Sequence, residues 1–203
     1  MKHLEYSSEK LNQECIKWGK QIFRNFKPDL IVYIARAGYI CAKPISELAD
    51  VPLLGIGAVR SGDILKEILG AIFVYCPKFI RNILATIELR SSIHKKNTER
   101  NVTFHKSLEY LNRAVYKSIL VVDDAVDTGY SMKKAVEMVQ EAFPEASVKS
   151  ACLNMTCDEK DCVMKIDFVL IHGASVKTPF SKDHREYRKI KKLYYEETKN
   201  EYI

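Results

Sequence analysis

The chain has 203 residues, enough for one α/β domain of ordinary size and too few for two comfortable ones. Hydrophobic residues make up 47% and charged residues 29%, and only 8 glycines and 6 prolines are present, which excludes disordered, collagen-like and linker-like chains. The net charge of +6 is mild, and it is compatible with an anionic small substrate, a nucleic acid or neither.

The first quarter of the chain predicts a strand–loop–helix–strand unit. Apolar residues at helical spacing over 11–26 indicate a first helix that ends before Pro28. The β-branched run 30–34 is typical of a strand buried on both faces, and a second helix with one apolar face follows up to residue 49. A further strand is predicted over 51–59. This succession is the beginning of a parallel sheet.

The middle of the chain predicts less regular structure. A wide apolar stripe over 64–76 indicates a helical insertion near 62–81, whose face could be core, a dimer contact, a lid or a membrane-surface helix. A strand is predicted over 83–89. The polar stretch that follows reads as a flexible loop over about 90–102, and a short strand returning from it is predicted over 101–108.

The second half supplies the clearest elements. The clearest strand of the chain is predicted over 118–122, a helix is predicted over 132–143, and two more strands are predicted over 148–153 and 167–171. The charged stretch 182–192 has no aromatic platform beside it, so it is interpreted as a solvated helix face rather than a nucleic-acid surface.

Neither a membrane span nor a metal–cysteine site is predicted. The run free of charged residues at the apolar peak covers only 68–77, whereas a spanning helix needs about 20 residues, and the N-terminus lacks the apolar region of a signal peptide. A cytoplasmic protein is therefore expected. Cys152, Cys157 and Cys162 are spaced unlike zinc ligands, and reduced thiols are expected.

The segment from Val121 to Ser131 carries the chemistry. It places Asp123 and Asp124 at the end of a buried strand, and Thr128-Gly129 then leads into a helix. A helix N-terminus and hydroxyl side chains suit a phosphate, while the two carboxylates can accept hydrogen bonds from vicinal ribose hydroxyls. The arrangement therefore suits a sugar 5-phosphate at the edge where open α/β sheets bind ligands.

Other phosphate-binding motifs do not fit. The chain has no G-x-x-x-x-G-K-[ST] sequence, which excludes a P-loop, and Gly55-Ile56-Gly57 lacks the third glycine of a dinucleotide fingerprint. A receiver-type acidic pocket needs its acidic pair after the first strand rather than at residue 123.

Residues 119–131 resemble the phosphoribosyl-pyrophosphate (PRPP) signature of type I phosphoribosyltransferases, with the closest pattern in the bacterial 6-oxopurine enzymes. The stretch after the first buried strand is similar to the family's pyrophosphate loop, which contains a cis-prone peptide. Many relatives have Arg-Gly-Gly there, so Ala37 is a departure. The pyrophosphate-binding residues implied by the resemblance are Ala35, Arg36, Ala37 and Gly38.

The resemblance implies an α/β fold, in which helices flank a central, mostly parallel β-sheet. It implies one phosphoribosyltransferase-like domain over 1–203, with the helical insertion near 62–81 and a small C-terminal hood at about 155–185. Homodimers are usual in the family, and the stripe at 64–76 is the candidate contact.

The resemblance also implies transfer of a 5-phosphoribosyl group from PRPP to a nitrogen base with Mg²⁺ as cofactor. Asp123 and Asp124 would hold the ribose and reach the metal indirectly, through ribose or water, and Asp127 would be the catalytic acid/base at a purine ring nitrogen. The implied PRPP-binding residues are Asp123, Asp124, Ala125, Val126, Asp127, Thr128, Gly129, Tyr130 and Ser131.

The base is predicted from fewer residues. Asp127 favours a 6-oxopurine, and Lys160, Phe168 and Val169 resemble the family's purine hood, although Lys165 competes for the lysine role. Two alternatives stay open: a PRPP-binding regulatory protein without transferase activity, and a phosphoribosyltransferase with a non-purine acceptor.

Overall fold

The computed structural model describes residues 2–60, 100–104 and 115–198. Residues 1–57 together with 102–203 form one compact unit, and residues 58–101 form a second. The helical insertion near 62–81, its apolar stripe over 64–76 and the strand expected over 83–89 lie outside the described residues. So does the loop expected over 90–102, apart from its last three residues.

The described residues form strands and helices close to those expected. In chain order the elements are β1 (Lys2–Glu5), α1 (Ser8–Asn25), β2 (Leu30–Ala35), α2 (Gly38–Ala49), β3 (Leu53–Arg60), β4 (Arg100–Phe104), β5 (Ser118–Val126), α3 (Tyr130–Ala142), β6 (Ser147–Met155), a 3-10 turn (Glu159–Asp161), β7 (Phe168–His172), β8 (Ala174–Lys177) and α4 (Tyr187–Glu197). Sequence analysis did not predict β1 and β8, which are short and pair with each other in parallel.

Six strands form the main sheet in the order β4-β3-β2-β5-β6-β7. The pairs β2–β3, β2–β5, β5–β6 and β6–β7 are parallel, which confirms the α/β fold with a mostly parallel central sheet. Asp29 aligns the two central strands, because its carboxylate accepts hydrogen bonds from the backbone N–H groups of Lys117 and Ser118 at 2.7 and 3.0 Å.

The hydrophobic core lies on both faces of this sheet. Alternate residues such as Tyr33 and Val122 join α1, α2 and α4 in one buried cluster, and their sequence neighbours point to the opposite face. There α3, which buries Met132, Ala135 and Val139, contacts β5 and β6. Helices therefore cover the central strands and leave their carboxyl ends as the accessible edge. No helix in the described part of the chain is long and apolar enough to cross a membrane.

Candidate active site

The two loops singled out in the sequence follow neighbouring strands. From β2 the chain passes through α2 to β3 on one side, whereas from β5 it passes through α3 to β6 on the other side. The loops after β2 and β5 therefore diverge and leave a crevice between them, which is where open α/β sheets bind ligands. Gly38 lies at the start of α2 and packs against the backbone of β5 at Val122 and Asp123.

The acidic pair lies at the end of β5. The Asp123 side chain is buried, with 8% of its surface exposed, and its Oδ1 accepts a hydrogen bond of 2.9 Å from the backbone N–H of Asp124. Loss of hydration raises the pKa of the Asp124 carboxyl, and hydrogen bonding with Asp123 and with backbone N–H groups offsets only part of this effect. A ligand that brings a positive charge or hydroxyl donors would favour the ionised form of Asp124.

The turn between β5 and α3 depends on Gly129. Its φ is +82°, and a β-carbon added there would lie 2.5 Å from Sγ of Cys162, so both the backbone conformation and the packing require glycine. The segment after β6 supports this turn from outside, since the backbone N–H of Val163 donates to the Thr128 carbonyl at 3.1 Å.

Ser131 contributes a hydroxyl to the first turn of α3. Its Oγ is buried and has no hydrogen-bond partner among the described residues, so the hydroxyl keeps its donor for a group that binds at the first turn of α3. Together with the unpaired N–H groups of the helix N-terminus, this hydroxyl suits a phosphate. Among the remaining residues of the predicted loop, Val126 is buried, whereas Ala125, Thr128 and Tyr130 are exposed.

Asp127 is exposed next to this turn and is oriented by a residue that sequence analysis missed. The hydroxyl of Thr156 donates to its Oδ1 at 2.9 Å, and the backbone N–H of Thr156 donates to the Val126 carbonyl at 2.9 Å. Thr156 directly follows β6, the strand that pairs with β5, so its position depends on sheet register. The hydrogen bond leaves Oδ2 of Asp127 as the oxygen that a base could approach.

The loop after β2 contains a cis peptide bond between Ala35 and Arg36, in the loop where the resemblance implies a cis-prone peptide. The Arg36 side chain is exposed, and its Nη1 donates to the hydroxyl of Tyr195 at 2.6 Å. Ala37 is half-buried at the start of α2. Sequence analysis identified Arg36 but not Tyr195, which is 159 positions away.

The residues predicted to bind the base are not brought together. Phe168 is level with Ala151 and Val122, four residues before the end of β7, which places it about 13 Å below the edge that carries Asp127. Its ring is partly buried and packs on the hydrophobic core. Base binding by Phe168 and by Val169, the next residue of β7, stays a prediction. Lys160 is 78% exposed in the 3-10 turn, 3.6 Å from Asp158.

The donor set fits Mg²⁺ held indirectly. No group of three or more His, Cys, Asp or Glu side chains in the described ranges could hold a metal by itself. Mg²⁺, however, usually keeps several waters and binds through one or two carboxylates together with substrate phosphates. The adjacent carboxylates of Asp123 and Asp124 match that requirement. No positively charged side chain of the described residues contributes to the pKa of the half-buried Asp124, so a cation bound there would supply the missing charge.

Comparison with known families decides the classification. Residues 6–186 match the family described as "Phosphoribosyl transferase domain". The chain belongs to the phosphoribosyltransferase family. It is therefore a phosphoribosyltransferase, an enzyme class that uses PRPP as the donor of a 5-phosphoribosyl group. No curated protein sequence matches the chain significantly.

Solved phosphoribosyltransferase structures share its fold. The Helicobacter pylori xanthine-guanine-hypoxanthine phosphoribosyltransferase superposes with a TM-score of 0.61 at 18% identity, covering 94% of this chain and 99% of that one. A purine phosphoribosyltransferase from Pyrococcus horikoshii gives 0.59 at 18% identity, covering 91% and 97%. A Neisseria gonorrhoeae protein with bound ppGpp gives 0.58 at 13% identity, covering 97% of both chains. These likenesses concern the fold.

Proposed function

We propose that this phosphoribosyltransferase transfers the 5-phosphoribosyl group of PRPP to a 6-oxopurine base in the presence of Mg²⁺ and releases pyrophosphate. The observation that carries the proposal is the Asp127 carboxylate, which Thr156 orients at 2.9 Å on the strand end that also holds Asp123 and Asp124. One sheet edge thereby offers groups for a sugar, a phosphate and a base.

The acidic pair suits the ribose. Asp123 is buried and fixed by the Asp124 backbone N–H, so its orientation is set before a ligand arrives. Carboxylates accept hydrogen bonds from the two vicinal ribose hydroxyls. Bound Mg²⁺ would neutralise the charge of the departing pyrophosphate. Holding the ribose rigidly in this way lowers the entropic cost of bringing its anomeric carbon to the base nitrogen.

The turn at Gly129 suits the 5-phosphate. The close contact of Gly129 with Cys162 and the hydrogen bond from Val163 to Thr128 hold the backbone of the turn in place. The Ser131 hydroxyl and the first N–H groups of α3 are then the donors that a phosphate accepts from. On the other side of the crevice, the pyrophosphate is assigned to the loop after β2 that contains Arg36 (residues 35–38, the Arg36 loop).

Asp127 is assigned to the base. Its Oδ1 accepts from Thr156, so its second oxygen can accept a hydrogen bond from a purine ring N–H or return the proton to that nitrogen. A 6-oxopurine carries an N–H in its ring system that an acidic side chain can recognise. The choice of a 6-oxopurine over other bases rests on the resemblance, in which orotate and adenine enzymes commonly have a small residue at the position of Asp127.

The test measures pyrophosphate release from PRPP and Mg²⁺ with hypoxanthine, guanine, xanthine, adenine, orotate and uracil. We expect release with a 6-oxopurine and a fall of about 10²–10⁴-fold in Asp127→Asn, with PRPP affinity retained. Glu145→Gln is the control variant, because that carboxylate is 80% exposed and pairs with Lys117, which lies just before the start of β5 and away from the strand ends that form the crevice. Release with orotate, uracil or adenine alone would overturn the 6-oxopurine assignment.

Two alternative outcomes have distinct signatures. A protein that binds PRPP in calorimetry but releases no pyrophosphate with any base would be a PRPP-binding regulatory protein. Release that requires a compound outside the purines would indicate a different nitrogen acceptor.

The homodimer stays a prediction, tested by light scattering, because the stripe over 64–76 lies outside the described residues.

A further inference from the structure

The C-terminal helix α4 contacts the loop that carries Arg36. Nη1 of Arg36 donates to the Tyr195 hydroxyl at 2.6 Å, which joins the end of β2 to the other end of the chain. The helix lies beyond residues 6–186, the part that matches the family description. The PRPP signature therefore contains no information about this contact, and Tyr195 is the one residue of α4 described so far, with no role yet assigned to it.

The position of Tyr195 is set by a buried neighbour. Tyr194 is fully buried, and its ring lies 5.2 Å from that of Tyr39 and 6.5 Å from that of Tyr33, both edge-to-face. Tyr33 belongs to β2, the strand that ends at the Arg36 loop. The same core that positions the loop therefore positions the helix, and the Tyr195 hydroxyl is presented to Arg36 from a fixed backbone.

A second attachment lies at the end of α4. Glu197 accepts hydrogen bonds from the Tyr39 hydroxyl and from Nζ of Lys43, the latter at 2.5 Å. These two donors belong to α2, the helix that begins directly after the Arg36 loop. Desolvation raises the pKa of Glu197, but the hydrogen bonds from Lys43 and Tyr39 outweigh it and hold that pKa below its ordinary value. The carboxylate thus stays charged and keeps α4 in place at neutral pH.

The hydroxyl of Tyr195 is chemically suited to orient Arg36 without neutralising it. A guanidinium has five N–H donors, and a neutral phenol that accepts from one of them leaves the other four and the full positive charge for an anion. A carboxylate in the same place would compete with an anionic ligand for that charge. The contact therefore restricts the side-chain conformations of Arg36 while leaving it able to bind a phosphate group.

We propose that Tyr195 is a positioning residue for the pyrophosphate group of PRPP, acting through Arg36. The proposal rests on the proposed function of the Arg36 loop. Because the hydroxyl holds Arg36 in the free protein, less side-chain entropy is lost when the pyrophosphate binds. Tyr195 thereby increases the affinity for PRPP and for inorganic pyrophosphate without touching the base or the reacting carbon.

The experiment compares full-length wild type, Tyr195→Phe, Arg36→Ala and the double variant. Calorimetry measures the affinity for PRPP and for inorganic pyrophosphate in Mg²⁺ buffer, and steady-state kinetics separates KM from kcat. Phenylalanine keeps the ring that packs 5.3 Å from Tyr194. Tyr116→Phe is the control, since it removes a tyrosine hydroxyl from a ring that packs on Phe143, before the start of β5 and away from Arg36.

We expect Tyr195→Phe to weaken PRPP and pyrophosphate binding by about three- to tenfold, the effect of one hydrogen bond. The KM for PRPP should rise equally, with kcat and the KM for the base unchanged, and Tyr116→Phe should behave as wild type. In the Arg36→Ala background the Tyr195 change should have no further effect.

Two results would overturn the inference. If Tyr195→Phe binds PRPP as tightly as wild type, or weakens it equally without Arg36, then Tyr195 does not act through Arg36, and the proposed function still stands. If wild type binds neither PRPP nor pyrophosphate, the proposed function fails and this inference fails with it.

Discussion

A β-carbon added to Gly38 would lie 2.8 Å from the carbonyl oxygen of Val122 and 3.3 Å from Cα of Asp123. The first turn of α2 therefore packs directly on the backbone that carries the acidic pair. Both neighbours are backbone atoms, which cannot move aside as the end of a long side chain could. The two loops of the crevice are held at a fixed separation by this contact.

Replacing Gly38 by alanine should separate the two loops. We expect Gly38→Ala to lower the free energy of unfolding by about 1–3 kcal/mol and to weaken PRPP binding by at least about tenfold, measured by denaturant unfolding and calorimetry. Gly19→Ala is the control, because its β-carbon would meet only side-chain atoms of Leu48 and Ile45, at 3.2 and 3.3 Å. Equal effects of the two substitutions would contradict the special role of Gly38.

The Asp124 carboxylate should increase the affinity for PRPP but lower the stability of the ligand-free protein. Its raised pKa means that the folded state binds more protons than the unfolded state between the two pKa values, so the free energy of unfolding falls as pH rises through that window. Asp124→Asn should therefore stabilise the ligand-free protein at pH 7 by about 0.5–2 kcal/mol and weaken PRPP binding.

The gain from Asp124→Asn should disappear in acid. Near the ordinary carboxyl pKa of 3.8 the wild-type side chain is also neutral in the folded state, so the two proteins should unfold at similar denaturant concentrations. Unfolding measured at several pH values between 4 and 7.5 gives this comparison. A stabilisation that does not change with pH would contradict the role of desolvation.

Asp167 should show the opposite sign. Desolvation raises its pKa, but hydrogen bonds from Ser150, at 2.9 Å from the backbone and 3.0 Å from the hydroxyl, and from Lys149 outweigh it and hold that pKa below its ordinary value. The stability it contributes is present above the unfolded-state pKa and is lost as pH falls through the folded-state pKa.

Asp167→Asn should lower the free energy of unfolding by about 1 kcal/mol at pH 7, and the difference from wild type should shrink in acid. Urea unfolding across pH checks both points. Glu145→Gln removes a carboxylate that also pairs with a lysine, Lys117, but is 80% exposed, so we expect little effect. A loss in Glu145→Gln as large as that in Asp167→Asn would show that the backbone hydrogen bond is not the cause.

Thr156 should affect catalysis rather than PRPP binding. Thr156→Val keeps the shape of the side chain but removes the hydroxyl that donates to Asp127 at 2.9 Å. We expect kcat to fall by about three- to tenfold with an unchanged dissociation constant for PRPP. Thr156→Ser should restore most of the rate, because it retains the hydroxyl. Weaker PRPP binding in Thr156→Val would mean that the residue supports the loop as a whole.

Much of the sheet and the PRPP loop could be predicted from local patterns. The apolar run that begins at Ser118 predicts a buried strand, and Thr128-Gly129 predicts the turn into a helix. Each pattern lies within about a dozen consecutive residues, so it can be recognised without knowing which distant segments pair. Short strands such as β1 and β8 carry no such signal, because their four residues are strands only when paired with each other.

The missed contacts depend on pairing between distant segments. Thr156 reaches Asp127 because β6 pairs with β5 in one particular register, and Tyr195 reaches Arg36 across 159 positions. The role predicted for Phe168 depends on the same kind of pairing, because the register of β7 with β6 places Phe168 level with Val122, one residue before Asp123.

The alignment of β2 with β5 has a consequence for how the chain is made. Asp29 and Ser118, which join these strands, are 89 positions apart, and at about 5–20 residues per second a ribosome needs about 4–18 s to pass from one to the other. During that time the Arg36 loop exists without the acidic pair. PRPP therefore cannot assist the folding of the Arg36 loop during this time. Ligand binding begins to stabilise the protein only after β5 has been synthesised and has paired with β2.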